Sequence, residues 1–329
     1  MRKWFLAMAL GLMLAGLQSC GGVNEPAPDQ LKEDGIKITE SDQGYLFQEG
    51  DSPVLFYQRA PKSFEGAYTR NNYLHPLWTL DGEILTEDGP EDHLHQRGIF
   101  WTWHQTYAGE QRLGDAWACQ DFTWDVQQSM IEDEPEGGKA LSVKVLWRSP
   151  ALLDENGEQK PVVEESTRIL VYPAQPSYRA IDVIIQLRAL EDEVKIGGSE
   201  DEKGYGGFSA RIKMPEDLLF RSSGGIVEAQ TTQVEVGPWV NFEGSFGKGG
   251  RRSSLAILVH PSNPGSVDKW ILRKSGSMQN PVYPGRGLAP ISKDEPTILK
   301  YRLLVHAETP EGLDLDSLYE EYSGKDAGG

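Results

Sequence analysis

The stretch that decides the fold reads Tyr178-Arg-Ala-Ile-Asp-Val-Ile-Ile-Gln-Leu187, with an apolar side chain at every second position from Ile181 to Leu187. Successive side chains of a β-strand point to opposite faces, so this pattern predicts a strand with one face in a core. Strand-like segments rich in β-branched and aromatic residues recur at 36–39, 54–57, 141–147, 167–172, 255–260 and 298–306. Gly, Pro, Asp and Asn turns separate them, which is typical of an all-β protein.

Helices are predicted to play a small part. No long helical pattern alternates with the strands, which argues against a parallel sheet with crossover helices. One short helix is predicted from Leu313 to about Tyr322, with Asp314 at its start and Gly324 after its end. We therefore expect an all-β fold, a large antiparallel two-sheet β-sandwich with one short C-terminal helix, as a single domain over 34–325.

The N-terminus indicates an exported protein. Two basic residues precede an apolar run at 4–17, which is too short to span a bilayer comfortably. The run ends in Leu17-Gln-Ser-Cys20, which resembles a bacterial lipoprotein box with Cys20 as the lipidated residue. We expect a signal peptide over 1–19 and a lipidated tether over 20–33. The protein would then lie in the bacterial cell envelope, periplasmic or at the outer-membrane surface, with the lipid anchor as its only membrane contact.

Charge and cysteine content exclude some functions. The net charge is −18, which repels nucleic acid, so no nucleic-acid partner is expected. The chain has two cysteines, Cys20 and Cys119. Acylation of Cys20 would leave no pair for an intramolecular disulfide.

One segment combines the residue types that carry chemistry. Four of the six histidines lie between His75 and His104, and six acidic residues of that segment precede Arg97. Imidazole and carboxylate groups bind metals or move protons, and tryptophan offers a flat apolar face to a ligand. We expect this segment to supply the centre of an active site.

The spacing indicates a working face. If residues 92–97 are extended, then His93, His95 and Arg97 project from one side of a strand. The histidines would act as general acid and base, Arg97 would stabilise developing negative charge, and Glu243 could be a partner base. The candidate catalytic residues are therefore His93, His95, Arg97 and Glu243.

A metal site is a second interpretation of the same histidines. It would hold one divalent ion, with candidate ligands His75, His93, His95 and His260. A His-x-His pair is only moderately specific for metal, because a bound ion needs at least a third ligand. Also open as that ligand are His104, Glu87, Asp88 and Asp92. Taken singly, His104 and His306 are expected to be hydrogen-bonded packing residues.

The tryptophans favour a carbohydrate ligand. Five of nine lie between Trp78 and Trp124, a concentration that suits a sugar cleft. The predicted substrate-binding residues are Trp101, Trp103, Trp239 and Asn263. Of these, Trp239 shares a strand face with Glu243, and Asn263 lies in a turn after a hydrophobic strand.

At these residues the chain resembles a bacterial family of unassigned function labelled PmoA-like. The matching elements are His75-Pro-Leu77, Asp88-Gly-Pro-Glu-Asp-His-Leu-His-Gln-Arg-Gly98, Gly206-Gly-Phe-Ser-Ala-Arg211, Trp239-Val240 and His260-Pro-Ser-Asn-Pro264. The family usually has two adjacent histidines where this chain has His95-Gln96, so a role for the second does not carry over. The label is shared with a methane oxygenase subunit, a multi-helix membrane protein. That activity is not expected here, because this chain offers no membrane span.

The resemblance implies a role linked to carbohydrate. Strand pattern and length are similar to the galactose-mutarotase-type supersandwich, which hosts sugar epimerases, lyases and hydrolases. We therefore expect a sugar- or glycoside-processing enzyme of one of these three kinds. A non-catalytic glycan-binding lipoprotein is the alternative, and a structural protein of the envelope whose histidines merely pack is the third.

Overall fold

Antiparallel pairing joins the alternating segments into sheets. The structure is a computed structural model that describes residues 35–307 and 313–324. One main sheet has six strands, in the order β1 (Ile36–Glu40), β2 (Gly44–Glu49), β3 (Ser52–Gln58), β6 (Tyr73–Leu77), β7 (Ile99–Thr102) and β15 (Gly207–Ala210).

The second main sheet has nine strands. Their order is β10 (Thr123–Asp133), β11 (Lys139–Leu153), β12 (Gln159–Val171), β13 (Tyr178–Ala189), β24 (Thr297–Ala307), β20 (Ser253–Val259), β19 (Trp239–Gly244), β16 (Leu219–Ser222) and β17 (Gly225–Val227). The alternating stretch Tyr178–Leu187 lies in β13, near the middle of this sheet.

Smaller sheets cover the edges. Four strands pair as β23 (Ala289–Pro290), β14 (Val194–Gly197), β8 (Gln105–Ala108) and β9 (Gln111–Arg112). Three pair as β18 (Val234–Glu235), β21 (Lys269–Ile271) and β22 (Asn280–Pro281), and β4 (Lys62–Phe64) forms a hairpin with β5 (Ala67–Arg70). Short 3-10 turns occur at Pro135–Gly137 and Lys248–Gly250.

The two main sheets share one hydrophobic core. Phe208 of β15 stacks on Tyr301 of β24 with ring centroids 4.2 Å apart. Buried residues of both sheets belong to the same cluster, which begins at Ile36 and reaches Val305. All seven predicted strand segments lie in strands to within one residue. The prediction of a large antiparallel β-sandwich is therefore confirmed.

A buried carboxylate ties the two sheets together. Glu165 of β12 accepts a hydrogen bond at 2.7 Å from the indole of Trp101 in β7 and one at 2.8 Å from Trp147 in β11. Asn72 and Thr167 donate to the same carboxyl group at 2.9 Å and 2.6 Å. Burial raises the pKa of Glu165, against the effect of these hydrogen bonds. Neutral hydrogen-bond donors, and not a cation, therefore bind the carboxyl group of Glu165.

The predicted C-terminal helix is also confirmed, as α1 (Leu315–Gly324). It begins two residues later than predicted. Asp314 caps its N-terminus, because the Asp314 side chain accepts a hydrogen bond from the Ser317 N–H at 3.0 Å. Leu315 and Tyr322 pack on the side of the nine-stranded sheet away from the shared core. In the ranges that the structure describes, no helix has the length and apolarity needed to cross a membrane.

Candidate functional site

A cavity of about 430 Å³ brings three histidines together. His93 and His95 reach it from the segment between β6 and β7, and His104 from the residues after β7. Three further loops complete the wall: between β9 and β10, before β15, and between β21 and β22. The other polar and aromatic residues that line it are Gln96, Trp117, Lys203, Tyr205, Arg273, Ser275 and Ser277.

The segment that carries His93 and His95 is a run of turns. The N–H of His93 donates to the Pro90 carbonyl at 2.9 Å, and the N–H of Gln96 donates to the His93 carbonyl at 3.0 Å. The extended conformation considered for 92–97 is therefore wrong. His93 and His95 still lie side by side, with ring centroids 5.5 Å apart and edge to face, but Arg97 does not join them.

Arg97 is an internal structural cation. Its side chain has no exposed surface, and its guanidinium lies 4.2 Å from the centre of the Phe64 ring. It donates to Asp88 at 3.1 Å and to the Tyr68 carbonyl at 2.9 Å. The expectation that Arg97 faces a substrate is not met, because it does not line the cavity and these groups surround it.

Arg211 fixes the histidine segment instead. It donates to Glu87 at 2.8 Å, to both carboxylate oxygens of Asp92 at 2.9 Å and 3.0 Å, and to Gln96 at 3.1 Å. Asp92 in turn lies 3.3 Å from Nδ1 of His93. Arg211 is 4% exposed, whereas the side chains of Glu87 and Asp92 are 33% and 38% exposed. The guanidinium is therefore fixed by charge-assisted hydrogen bonds, although solvent screens its carboxylate partners.

His95 is held in its neutral form. Burial lowers its pKa to about 4, and the nearby charge of Arg70 acts in the same direction. The rings of Tyr68 and His95 lie 6.4 Å apart. At neutral pH this imidazole is therefore available as a hydrogen-bond acceptor.

His104 of the cavity wall forms a hydrogen-bonded pair with Asp115, which does not itself line the cavity. Nδ1 of His104 lies 2.9 Å from Oδ2 of Asp115, and the buried Nε2 has no hydrogen-bond partner among the described residues. Burial raises the pKa of Asp115, but hydrogen bonds from His104 and the Ala118 N–H outweigh it and keep the carboxyl ionised. The expectation that His104 only packs is therefore too narrow. It does stack on Trp117 at 5.2 Å, yet it also lines the cavity.

The predicted tryptophan platform lies elsewhere. Trp101 and Trp103 are 1% and 0% exposed. Their indole N–H groups are used inside the protein, by Glu165 and by the Tyr283 carbonyl at 2.8 Å. Neither offers a face to a sugar, because both contribute to the core between the sheets.

Helix α1 covers another part of the predicted site. Trp239 donates to Asp316 of the helix at 3.0 Å, and the ring of His260 contacts Tyr322 edge-on at 5.0 Å. We call this region, formed by Trp239, Leu258, Leu304 and His260 under α1, the helix-covered face. It does not line the cavity.

Glu243 and Asn263 also lie outside the cavity. Glu243 accepts hydrogen bonds from Arg221 at 2.8 Å and from Asn241 at 3.1 Å. Asn263 donates to the Lys300 carbonyl at 3.0 Å and accepts from its N–H at 2.7 Å. Both have local structural partners, so the structure does not bring them to His93.

The four predicted metal ligands do not converge. His75 does not line the cavity: its Nδ1 lies 2.9 Å from the Thr86 hydroxyl, and burial lowers its pKa to about 4. His260 belongs to the helix-covered face. Within residues 35–307 and 313–324, no three His, Cys, Asp or Glu side chains are grouped so as to hold a metal ion. A divalent ion on His93 and His95 stays a prediction, with water or substrate needed to complete its ligands.

Sequence reasoning missed half of the cavity wall. Asp115 and Arg273 stand alone in the sequence, and no pattern there links them to the histidines. One signal was available in Lys203-Gly-Tyr-Gly-Gly207, because glycines allow backbones to approach closely. A Cβ at Gly206 would lie 2.9 Å from the Cα of Gly198. Such a close approach places Tyr205 against the His104 ring, with centroids 5.0 Å apart.

The fold and the site together define a class of protein: an antiparallel β-sandwich with a cavity lined by histidines and basic residues. The chain belongs to DUF6807, described as a family of unknown function, whose family model matches residues 46–320. That range includes the cavity and all of the main-sheet strands except β1 and the first two residues of β2. The resemblance to PmoA-like proteins and the supersandwich assignment stay predictions.

Comparison with solved structures gives a distant likeness. A crystal structure described as a "putative mutarotase (YeaD) from Salmonella typhimurium" matches with a TM-score of 0.34 and 10% sequence identity, over 87% of this chain and 96% of that one. A likeness at this level carries no argument about what this chain does. No protein with a curated description matches the chain.

Proposed function

We propose that this protein binds a sugar in the cavity and processes it by proton transfer. The observation that carries the proposal is that three imidazoles line one cavity of about 430 Å³ beside Tyr205 and several hydrogen-bonding side chains. This volume falls in the usual range for small-molecule sites, about 300–1,000 Å³. The mixture of aromatic and polar groups suits a ring with many hydroxyls.

His104 is the proposed proton acceptor. Because Asp115 is ionised, it accepts the Nδ1–H of His104, and this tautomer leaves a lone pair on Nε2. The same arrangement orients the imidazole and stabilises it once it has gained a proton. His93 and His95 would bind substrate hydroxyls, and His93 could return the proton.

The lining favours some of the expected reactions over others. Glycoside hydrolases commonly use two carboxylates that flank the scissile bond. Among the described residues that line this cavity, none is Asp or Glu. An epimerase or a lyase, which removes a proton from carbon with a base such as histidine, fits these groups better than a hydrolase.

The test is an exchange experiment in deuterated water. The protein is incubated with a panel of neutral and acidic mono- and oligosaccharides, and NMR follows deuterium incorporation at carbon and new products. We expect one class of sugar to exchange or react. The His104→Gln variant should be slower by about 10²- to 10⁴-fold, the usual contribution of a general base.

A matched variant separates chemistry from folding. His260→Gln changes a histidine of the helix-covered face and should leave the rate unchanged. Equal losses in the two variants, or exchange that persists in His104→Gln, would contradict the role given to His104.

A non-catalytic glycan-binding protein is the second candidate, and one observation favours it. A histidine with a pKa of about 4, as burial gives His95, is a weak base at neutral pH and is better suited to accept a hydrogen bond. This candidate predicts sugar binding that His95→Ala weakens, with no exchange or product from any sugar of the panel.

Export and lipid attachment are part of the proposal. Residues 1–33, with Cys20, lie outside the described residues, and the Leu17-Gln-Ser-Cys20 motif is what supports this part. In a bacterial host the full chain should partition into the detergent phase, and Cys20→Ala should move it to the aqueous phase. Unchanged partitioning of the variant would remove the lipid anchor from the proposal.

A further inference from the structure

The charge of the cavity wall differs from that of the whole chain. The chain has 50 acidic and 32 basic residues, yet the described lining contains Lys203 and Arg273 and no acidic side chain. Three carboxylates lie close by, and each is already engaged: Asp92 by Arg211, Asp115 by His104, and Asp201 by Lys203. A ligand in the cavity therefore meets basic side chains in the wall, while the nearby carboxylates are paired.

Arg273 is fixed in place without being neutralised. Its guanidinium donates to the backbone carbonyls of Gln230 at 2.6 Å and Thr231 at 2.9 Å. In the part of the chain that the structure describes, no carboxylate forms an ion pair with it. Burial lowers the pKa of Arg273, but a guanidinium remains charged at neutral pH. The loop geometry thus presents a cation that is hydrogen-bonded to backbone carbonyls and not ion-paired, although the charge of Asp201 acts on it from nearby.

Lys203 adds a weaker charge to the same wall. Its ammonium group pairs with Asp201 at 3.1 Å, and both side chains are more than a third exposed. Solvent screens such a pair, so Lys203 keeps some freedom to turn toward a ligand. Tyr205 lies close to both the basic residues and the histidines of the wall. The charges of Lys203 and Arg273 act on it, as do those of Asp201 and Asp115, and its ring contacts His104.

We propose that the cavity recognises an acidic sugar, a hexuronate, with its carboxylate on Arg273 and its ring beside Tyr205 and His104. This inference rests on the proposed sugar-binding function and names its substrate class. The planar guanidinium matches a planar carboxylate through two parallel hydrogen bonds, which a neutral hydroxymethyl group cannot replace. His95 would accept a hydrogen bond from a ring hydroxyl at the other side.

The experiment compares sugars that differ in the group at carbon 6: a carboxylate, a neutral hydroxymethyl group or a sulfate ester. Affinities for D-glucuronate and D-galacturonate are measured by calorimetry or NMR titration, beside D-glucose, D-galactose and their 6-sulfates. We expect the uronates to bind at least about 10-fold more tightly than the neutral sugars, with a preference that weakens as salt is added. Arg273→Gln should lower uronate affinity by about 10- to 100-fold and leave neutral-sugar affinity unchanged.

Controls separate charge at this site from charge in general. Arg251→Gln removes an exposed arginine outside the cavity and should leave all affinities unchanged. Arg273 also holds backbone carbonyls, so Arg273→Gln could disturb the loop. Two further variants address this: Arg273→Lys should retain the preference for uronates, and Lys203→Gln should weaken uronate binding less than Arg273→Gln does.

The outcomes distinguish the two proposals. Neutral sugars that bind as tightly as uronates would overturn the acidic-sugar inference and leave the proposed function standing. Tighter binding of the sulfates than of the uronates would overturn the choice of carboxylate. No binding of any sugar would overturn both.

Discussion

The cavity and the helix-covered face contain similar residues but differ in accessibility. The sequence offers a histidine and an aromatic residue in each, His104 with Tyr205 in one and His260 with Trp239 in the other. In the cavity both side chains keep part of their surface open, and Asp115 orients His104. On the helix-covered face Trp239 is 5% exposed, because α1 packs over it. A binding site is therefore decided by what covers the residues as much as by which residues are present.

Turnover is expected to show the largest difference between the two regions. The His104→Gln variant should lose about 10²- to 10⁴-fold in kcat/KM with whichever sugar is processed, because it removes the group that accepts the proton. His260→Gln should keep the wild-type value. Steady-state kinetics on both variants checks this, and a larger loss in His260→Gln would reverse the comparison.

Stability should show the opposite preference. Trp239→Ala opens a gap under α1 and removes its hydrogen bond to Asp316, so the free energy of unfolding should fall by about 3–5 kcal/mol. Tyr205→Ala should cost less stability but weaken sugar binding. Urea unfolding and sugar titration of both variants provide the two measurements. If Trp239→Ala weakened sugar binding without loss of stability, the helix-covered face would belong to the site.

The pH dependence of stability should reveal the buried imidazole of the cavity. An exposed histidine has a pKa near 6.5 and His95 in the folded protein has one of about 4, because burial disfavours its charged form. Between these values the unfolded state binds the additional proton, so stability falls as pH falls and the loss ends below about pH 4. For this group the free energy of unfolding should drop by about 2 kcal/mol from pH 7 to pH 5.

Replacement of that histidine isolates its contribution. Between pH 7 and pH 5 the free energy of unfolding of the His95→Gln variant should fall by about 2 kcal/mol less than that of the wild type. Urea unfolding at both pH values measures this difference. Identical slopes for wild type and variant would mean that His95 is protonated as readily in the folded protein as in the unfolded one.

Metal affinity should show the smallest difference. His93 and His95 are two adjacent imidazoles without a third grouped ligand, so Zn²⁺ should bind weakly. Replacing both with alanine should lower Zn²⁺ affinity by no more than about 10-fold, and His260→Gln should have no effect, as measured by calorimetry. A comparable loss in His75→Ala would show that the ion is bound outside the cavity.

The fold could be predicted because alternation is a local property of the chain. In β13, Ile181, Val183, Ile185 and Leu187 face the core and are fully buried, as the spacing in the sequence indicates. Short strands such as β4 and β9 carry no such pattern, since two or three residues cannot show a period.

The site could be predicted only in part, because its parts are distant in sequence. The density of histidines and acidic residues locates the loop of His93 and His95, but it does not show that turns direct Arg97 inward. Arg273 lies near the pairing of Gln279 with Ala210, two residues far apart in the chain. Asp115 meets His104 after the β8–β9 hairpin, and no pattern in the sequence links the two. The density of tryptophans predicts a ligand platform, but an indole packs equally well in a core, where Trp101 donates to the buried carboxylate of Glu165.

The Glu165 cluster has a consequence for genetics. It joins β12 to β7, and β7 runs directly into Trp103 and His104, so the position of the proposed base depends on a hydrogen bond deep in the core. Glutamine at position 165 would replace one of the two carboxylate oxygens with an amide NH2 group, which cannot accept a hydrogen bond. One oxygen accepts from Trp147, and the other accepts from Trp101, Asn72 and Thr167, so either replacement opposes at least one donor. In a selection for loss of sugar use, substitutions at Glu165 should therefore appear beside those of the cavity, although this residue contacts no ligand.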